Sequence, residues 1–205
     1  MHEHVSDAFV KQAQREGYRS RAAYKLLEID KRDRLIRPGM TVVDLGAAPG
    51  SWSQVVINKL KGQGKLLAID LLPVAPLPSM EVLQGDFASD VGRAWLEEKL
   101  HGKAADLVLS DMAPNISGVA LRDQAQHYAL CEMALAFCRQ WLKPDGAFLV
   151  KVFNGVEFED YRRQMRETFN TVVIRKPEAS RERSNEIYLL GKHPLTAPDS
   201  ALESI

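Results

Sequence analysis

A chain of 205 residues is long enough to bury a full core as one domain, without disulfide or metal staples. Its 27 basic and 27 acidic side chains cancel, which excludes overall basicity as a reason to expect a nucleic-acid partner; only the placement of the charges can supply one. Cys131 and Cys138 sit two helical turns apart in one apolar segment, and the five histidines are scattered, so neither a disulfide framework nor a metal site is expected.

The chain opens with a short predicted helix over Asp7 to Arg15, followed by Ser20 as the expected cap of a second helix from Arg21 to Asp30. Arg37-Pro38-Gly39 ends this leader. Between Lys11 and Arg37 nine basic residues face four acidic ones, so the leader is locally basic within a neutral protein: a solvated helix face or a surface that tracks phosphates. Thr41 to Leu45 reads as a buried strand that breaks at Gly46, after which Ser51 can cap a helix from Trp52 to Leu60. Strands are then expected at Lys65 to Asp70, Glu81 to Gln84, Ala105 to Ser110, Ala147 to Phe153, Thr171 to Ile174 and Asn185 to Leu190. Helices are expected at Asp90 to Leu100, Gln124 to Leu142 and Glu157 to Phe169, with Lys143-Pro144-Asp145-Gly146 closing the longest. Strands alternating with helices predict an α/β doubly wound, mostly parallel sheet of seven strands with helices on both faces. Residues 1–192 form a single expected domain and 193–205 a flexible tail. No apolar run approaches the roughly 18 residues of a membrane span, and Met1-His2-Glu3-His4 does not begin a signal peptide, so a cytoplasmic protein is expected.

The stretch Gly46-Ala47-Ala48-Pro49-Gly50, between a strand and a helix, predicts a nucleotide-type pocket. Glycine lets backbone approach a ligand closely, and the helix start adds unpaired N–H groups. A dinucleotide turn reads G-x-G-x-x-G; here the second glycine is absent and Pro49 removes a donor that a pyrophosphate could use. A cofactor with an adenosine but no phosphates, S-adenosylmethionine, fits better than NAD. Three aspartates end strands where ligands of such sheets bind. Asp70 is placed for a ribose diol, Asp86 for an adenine amino group, and Asp111 lies beside the opening strand; any one of them alone can equally serve an Asx-turn or a cap. Asp111-Met112-Ala113-Pro114-Asn115 lacks the paired prolines and aromatic of amine-methylating loops, and no cysteine nucleophile stands by, so an oxygen acceptor is expected. Lys151 interrupts an otherwise apolar strand, Lys25 lies in an apolar helix, and Glu186 opens the last strand. A strand lysine is rarely buried unless paired.

Five ordered blocks together resemble the FtsJ family of RNA ribose 2′-O-methyltransferases: Ser20 to Leu26, Asp44 to Ser53, Ser110 to Asn115, Leu149 to Phe153 and Arg183 to Tyr188. The resemblance runs from about Lys11 to Lys192, and the compact length is most like the bacterial branch that methylates a uridine ribose in large-subunit ribosomal RNA. It implies a Rossmann-like methyltransferase sheet and a Lys-Asp-Lys-Glu tetrad at Lys25, Asp111, Lys151 and Glu186, with Lys151 the central base or a steering cation. It also implies S-adenosylmethionine contacts at Gly46, Pro49, Gly50, Trp52, Asp70, Asp86 and Asp111. RNA is then expected along Arg19, Arg21, Arg32 and Arg34 of the leader, and along a second basic cluster of Arg162, Arg163, Arg166, Arg175, Lys176, Arg181 and Arg183. The expected partner is ribosomal RNA within the large subunit, met by a monomer without metal or membrane. To accept a proton Lys151 must be neutral, whereas a free lysine titrates at about 10.4; Lys25, the sulfonium charge and desolvation push it down and the carboxylates push it up. Relatives acting on tRNA, an NAD-dependent oxidoreductase and a non-catalytic RNA-binding assembly factor are the competing readings.

Overall fold

The structure is a computed structural model that describes residues 8–114, 117–180 and 184–195. Among the described residues six helices, α1 (Ala8–Glu16), α2 (Ala22–Asp33), α3 (Ser51–Leu60), α4 (Asp90–Leu100), α5 (Ala120–Trp141) and α6 (Phe158–Thr168), accompany seven strands. The strands are β1 (Thr41–Leu45), β2 (Lys65–Asp70), β3 (Met80–Gln84), β4 (Ala105–Ser110), β5 (Leu142–Phe153), β6 (Phe169–Arg175) and β7 (Glu186–Pro194), in the order β3-β2-β1-β4-β5-β7-β6. Pairing is parallel from β3 to β5, and β7 runs antiparallel to both β5 and β6. The fold is therefore the doubly wound, mostly parallel sheet expected from the alternating elements. The chain moves outward from β1 through β2 to β3, then returns to β4, so the strand order reverses between β1 and β4. That crevice is where such sheets bind ligands.

Two-residue alternation divides the core between the faces. Val43, Leu45, Leu67, Val108, Phe148 and Leu189 point to the layer shared with Leu96, Leu135 and Met165 of α4, α5 and α6. Val42, Leu66, Leu107, Leu109, Leu149 and Leu190 point the other way, onto Leu26 and Ile29 of α2 and Val55 and Val56 of α3. Helix α1 rests outside, with Ala13 against Tyr24 and Ala179.

Several boundaries differ from the sequence expectation for local reasons. Ser51 is the first residue of α3, not its cap; the cap position is Gly50, at a φ of 101° that favours glycine. The Ser51 hydroxyl instead meets the Ser20 hydroxyl at 2.7 Å. Ser20 lies one residue before the Arg21 cap position of α2 and accepts from the Ala22 N–H at 3.2 Å. Helix α5 begins at Ala120 rather than Gln124 because the Asp123 carboxylate holds the preceding loop, accepting from Ser117 N, Ser117 Oγ and Gly118 N. Lys143 to Gly146 does not close a helix but lies within β5, where pairing shifts from Ala105–Leu142 to Leu107–Ala147 and the extra residues bulge. Strand β7 continues through His193 to Pro194, which pairs with Phe169. Among the described residues no helix is long and apolar enough to cross a membrane, and no cluster of His, Cys, Asp or Glu has the makings of a metal site.

Candidate active site

The same alternation that builds the core aligns the polar side chains. On the face covered by α2 and α3, Asp44 follows Val42, Asp111 follows Leu109 and Lys151 follows Leu149, while Tyr188 and Glu186 precede Leu190 on the antiparallel strand. Ser110 pairs with Val150, so Asp111 and Lys151 come side by side, and Lys151 pairs across with Tyr188. Lys25 reaches this row from α2. Charged groups are thus brought to the ends of apolar strands, against the helices that bury them.

The resulting chain of contacts joins two lysine–carboxylate pairs through a tyrosine hydroxyl. Lys25 Nζ meets Glu186 Oε1 at 2.6 Å. Lys151 Nζ stands 3.2 Å from Asp111 Oδ1 and donates to the Asp111 carbonyl oxygen at 2.8 Å. Between the two pairs, the Tyr188 hydroxyl is 3.2 Å from Glu186 Oε1 and 3.4 Å from Asp111 Oδ1. The Ser180 hydroxyl donates to Glu186 at 3.1 Å. Lys25 and Lys151 are 9% and 8% exposed, a burial that lysine tolerates only when paired. Burial alone would raise the Glu186 pKa, but the Lys25 hydrogen bond and charge, with help from Lys151 and Ser180, hold it below the ordinary carboxylate value. Burial pushes the Tyr188 hydroxyl well above its usual pKa, so it keeps its proton. Tyr188 and Ser180 were not singled out by sequence reasoning. Tyr188 had a readable signal, since it lies two residues from Glu186 and shares its face; Ser180, on a loop, had none.

Beyond the ends of β1, β2 and β4 lies a cleft of about 230 Å³ lined by Gly46, Ala48, Asp70, Asp86, Asp111 and Met112, among others. Gly46 is required here: a Cβ on it would fall 2.8 Å from the Met112 backbone, so only glycine lets the two loops meet at this spacing. Asp70 accepts from Ala48 N at 2.9 Å and from Leu72 N at 2.8 Å, and Asp86 accepts from Ala88 N at 2.8 Å. Both acids therefore do make Asx-turns, yet both line the cleft, so the two roles coincide. The Trp52 side chain is 3% exposed and donates its indole N–H to the Ala22 carbonyl oxygen at 2.9 Å. It packs on Tyr188 with ring centroids 5.7 Å apart, and Trp52 borders a smaller recess at the glycine turn with Pro49 and Asp111 rather than the main cleft. Pro49, preceded by a cis peptide, and Gly50 complete the turn, with the Arg19 guanidinium donating to the Pro49 carbonyl oxygen at 3.2 Å.

Asp44 lies beneath this turn, fully buried. The Ser53 hydroxyl donates to its Oδ2 at 2.7 Å, whereas Oδ1 has no hydrogen-bond partner. Burial raises its pKa to about 7, the Ser53 bond opposes the rise, and Asp111 and Asp70 add to it. With Asp70, Asp86 and Asp111 on its walls, the cleft has an acidic lining that, among the described residues, holds no lysine or arginine. Such a site suits a ligand that carries positive charge and disfavours a pyrophosphate. S-adenosylmethionine, with an ammonium and a sulfonium, fits this donor set; a nicotinamide dinucleotide does not.

The basic surfaces are less uniform than the sequence implies. Arg19 stands over the glycine turn, whereas Arg32 and Arg34 are exposed at the opposite end of α2 from Lys25. Arg175 forms a bidentate pair with Asp33, both contacts at 2.7 Å, and Lys192 lies 3.7 Å from the same carboxylate, so Arg175 joins β6 to α2. Arg162 and Arg163 pair with Glu159 and Asp160 on their own helix. Arg181 and Arg183, and Asn115 of the β4 loop, lie outside the described residues.

The model of the FtsJ-like methyltransferase family matches residues 18–193. The chain is 69% identical over 195 residues to the ribosomal RNA large subunit methyltransferase E of Thiobacillus denitrificans, covering 95% of this chain and 89% of that protein. It is 59% identical over 191 residues to the protein of the same name from Methylobacillus flagellatus, covering 93% and 92%. A ribosomal RNA methyltransferase crystal structure from Plasmodium falciparum matches with a TM-score of 0.78 and 30% identity, covering 87% of this chain and 99% of that one. With the family model and these relatives spanning nearly all of it, the chain belongs to the FtsJ-like methyltransferase family.

Proposed function

We propose that this protein transfers a methyl group from S-adenosylmethionine to the ribose 2′-hydroxyl of a uridine in large-subunit ribosomal RNA. The observation that carries the reading is Lys151, a buried strand lysine fixed by both the side chain and the carbonyl of Asp111 at the edge of an acidic cleft. The names of the bacterial relatives and their identity over nearly the whole chain support ribosomal RNA as the acceptor. The tetrad side chains all come from one chain, which supports action as a monomer.

A ribose hydroxyl is a weak nucleophile, so rate must come from alignment and from handling its proton. When bound, the cofactor supplies a methyl group on a positively charged sulfur, already a strong electrophile. Asp70 and Asp86 would hold its adenosine end, and the turn from Gly46 to Gly50 with the first-turn amides of α3 would hold the rest. The Asp111 carbonyl oxygen accepts one N–H of Lys151 at 2.8 Å, and the Asp111 carboxylate stands 3.2 Å from the same Nζ. In the neutral amine the lone pair takes the 2′-hydroxyl proton as the oxygen attacks. The Asp111 carboxylate then stabilises the ammonium that forms. Glu186, neutralised by Lys25 and tied through Tyr188, keeps Asp111 in place.

The test is methyl transfer from labelled S-adenosylmethionine to large ribosomal subunits of cells that lack the gene, followed by alkaline hydrolysis. Label in a hydrolysis-resistant dinucleotide reports a 2′-O-methyl ribose; label in mononucleotides points to a base and refutes the reading.

A further inference from the structure

A second cleft, of about 330 Å³, adjoins the first through Ala113 and lies beyond the end of β5. Its floor includes Phe153, two residues past Lys151, and the Lys151 Nζ is 6.0 Å from the centre of that ring. Gln124, Asn154 and Asn185, three residues that carry side-chain amides, line it. Resting on the methyltransferase reading above, we propose that this cleft seats the base of the nucleotide whose ribose is methylated, stacked on Phe153 and hydrogen-bonded by the amides.

The chemistry of the lining selects a flat, neutral, polar occupant. Among the described residues no lysine or arginine lines it, and the carboxylate of Asp123 is already engaged by Ser117 and Gly118. Three amides offer both donors and acceptors, which is what the edge of a base requires, and the volume is at the small end of ligand pockets, about 300–1,000 Å³. A nucleotide whose 2′-oxygen lies beside Lys151 carries its base one sugar away, which places it over Phe153 rather than in the cofactor cleft.

The platform is also held in advance. The Tyr128 hydroxyl donates to the Phe153 carbonyl oxygen at 2.6 Å, and the Asn154 N–H donates to the Asn185 carbonyl oxygen at 2.9 Å. His127 backs the Phe153 ring at a centroid distance of 4.7 Å, and a His127 ring nitrogen lies 3.1 Å from the Lys151 carbonyl oxygen. Acceptor base and proton acceptor are therefore positioned by one strand end. Preorganisation of this kind reduces the cost of seating a ligand, and stacking on an aromatic ring tolerates a base drawn out of RNA structure.

The experiment uses Phe153→Ala, Phe153→Tyr and the double variant of the exposed amides, Asn154→Ala with Asn185→Ala. Single-turnover methylation of unmodified large subunits is measured beside calorimetric binding of S-adenosylhomocysteine. Loss of one stacked base predicts a fall of about tenfold to hundredfold for Phe153→Ala, near-complete recovery in Phe153→Tyr, at least a threefold (roughly) loss in the amide variant, and unchanged cofactor affinity in all. A wild-type rate in either Phe153→Ala or the amide variant overturns the proposal, as does a Phe153→Tyr as impaired as the alanine. Saturation-transfer spectra with free uridine provide an arm that needs no turnover. Saturation of the base protons in wild type, lost in Phe153→Ala, is expected; saturation of the sugar protons alone overturns the site. If wild type binds the uridine base yet methylates no subunits, the ribosomal acceptor reading falls and the base site stands.

Discussion

Replacing Tyr188 by phenylalanine isolates the link between the two ion pairs. The substitution keeps the ring, which is fully buried and packs on Trp52, and removes only the hydroxyl. Neither acceptor is orphaned, because Glu186 keeps Lys25 and Ser180 and Asp111 keeps Lys151. A hydrogen bond to a charged group is worth about 1.5–3 kcal/mol. Here one proton is shared between acceptors at 3.2 and 3.4 Å, long for this class, so the lower end applies. That amounts to about tenfold in rate, since about 1.4 kcal/mol is a factor of ten. Single-turnover methyl transfer should fall by about this factor while calorimetric affinity for S-adenosylhomocysteine is unchanged, because Tyr188 does not line the cofactor cleft. A rate within twofold (roughly) of wild type would show that Asp111 and Lys151 hold their places without the hydroxyl, and a parallel loss of cofactor affinity would show that the change spreads through Trp52.

Three further outcomes are expected. Asp70→Ala removes the acceptors of Ala48 N and Leu72 N as well as a cleft carboxylate; S-adenosylhomocysteine affinity should drop about tenfold to hundredfold in a folded protein, and an unchanged calorimetric Kd would reject the assignment. Asp44, raised to about 7 in the folded chain, binds its proton more tightly folded than unfolded. Its contribution is complete below the unfolded value near 4 and is lost as pH rises through about 7, by at most about 1.4 kcal/mol per pH unit. Asp44→Asn should flatten stability over that window, and a slope equal to that of wild type would refute it; Glu186, shifted the opposite way, loses its contribution only at lower pH. Asp33→Ala leaves Arg175 and Lys192 without their shared partner and should cost about 3 kcal/mol in urea unfolding; a wild-type midpoint would mean the pair is structurally idle.

The features most legible in the sequence were those set by periodicity and chemistry together. β-Branched runs and glycine breaks mark the parallel strands, and the missing glycine with Pro49 argues against a dinucleotide before any fold is seen. Lys151 announces itself because a lysine in an apolar strand demands a partner, although the partner, Asp111 just past the end of β4, follows only from strand order. Boundaries failed where side chains acted beyond their own element: Asp123 drew the start of α5 forward, and the bulge at Lys143 to Gly146 resumed pairing where a helix stop was expected. Arg175 was grouped with surface cations because its neighbour in space, Asp33, is far away in the chain. Asp44 lies inside the recognised motif and in a strand expected to be buried, yet its residue type alone assigns it no role; only the structure shows an unpartnered oxygen there.

The central claim, that Lys151 directs a methyl group to a ribose oxygen of large-subunit RNA, is tested most directly in cells. Ribose methylation is mapped across all RNA in a strain lacking the gene, complemented with wild type or with Lys151→Ala. One 2′-O-methyluridine of large-subunit ribosomal RNA should disappear on deletion, return with wild type and stay absent with Lys151→Ala. A methylation map that does not change on deletion, or one restored by Lys151→Ala, would contradict the account.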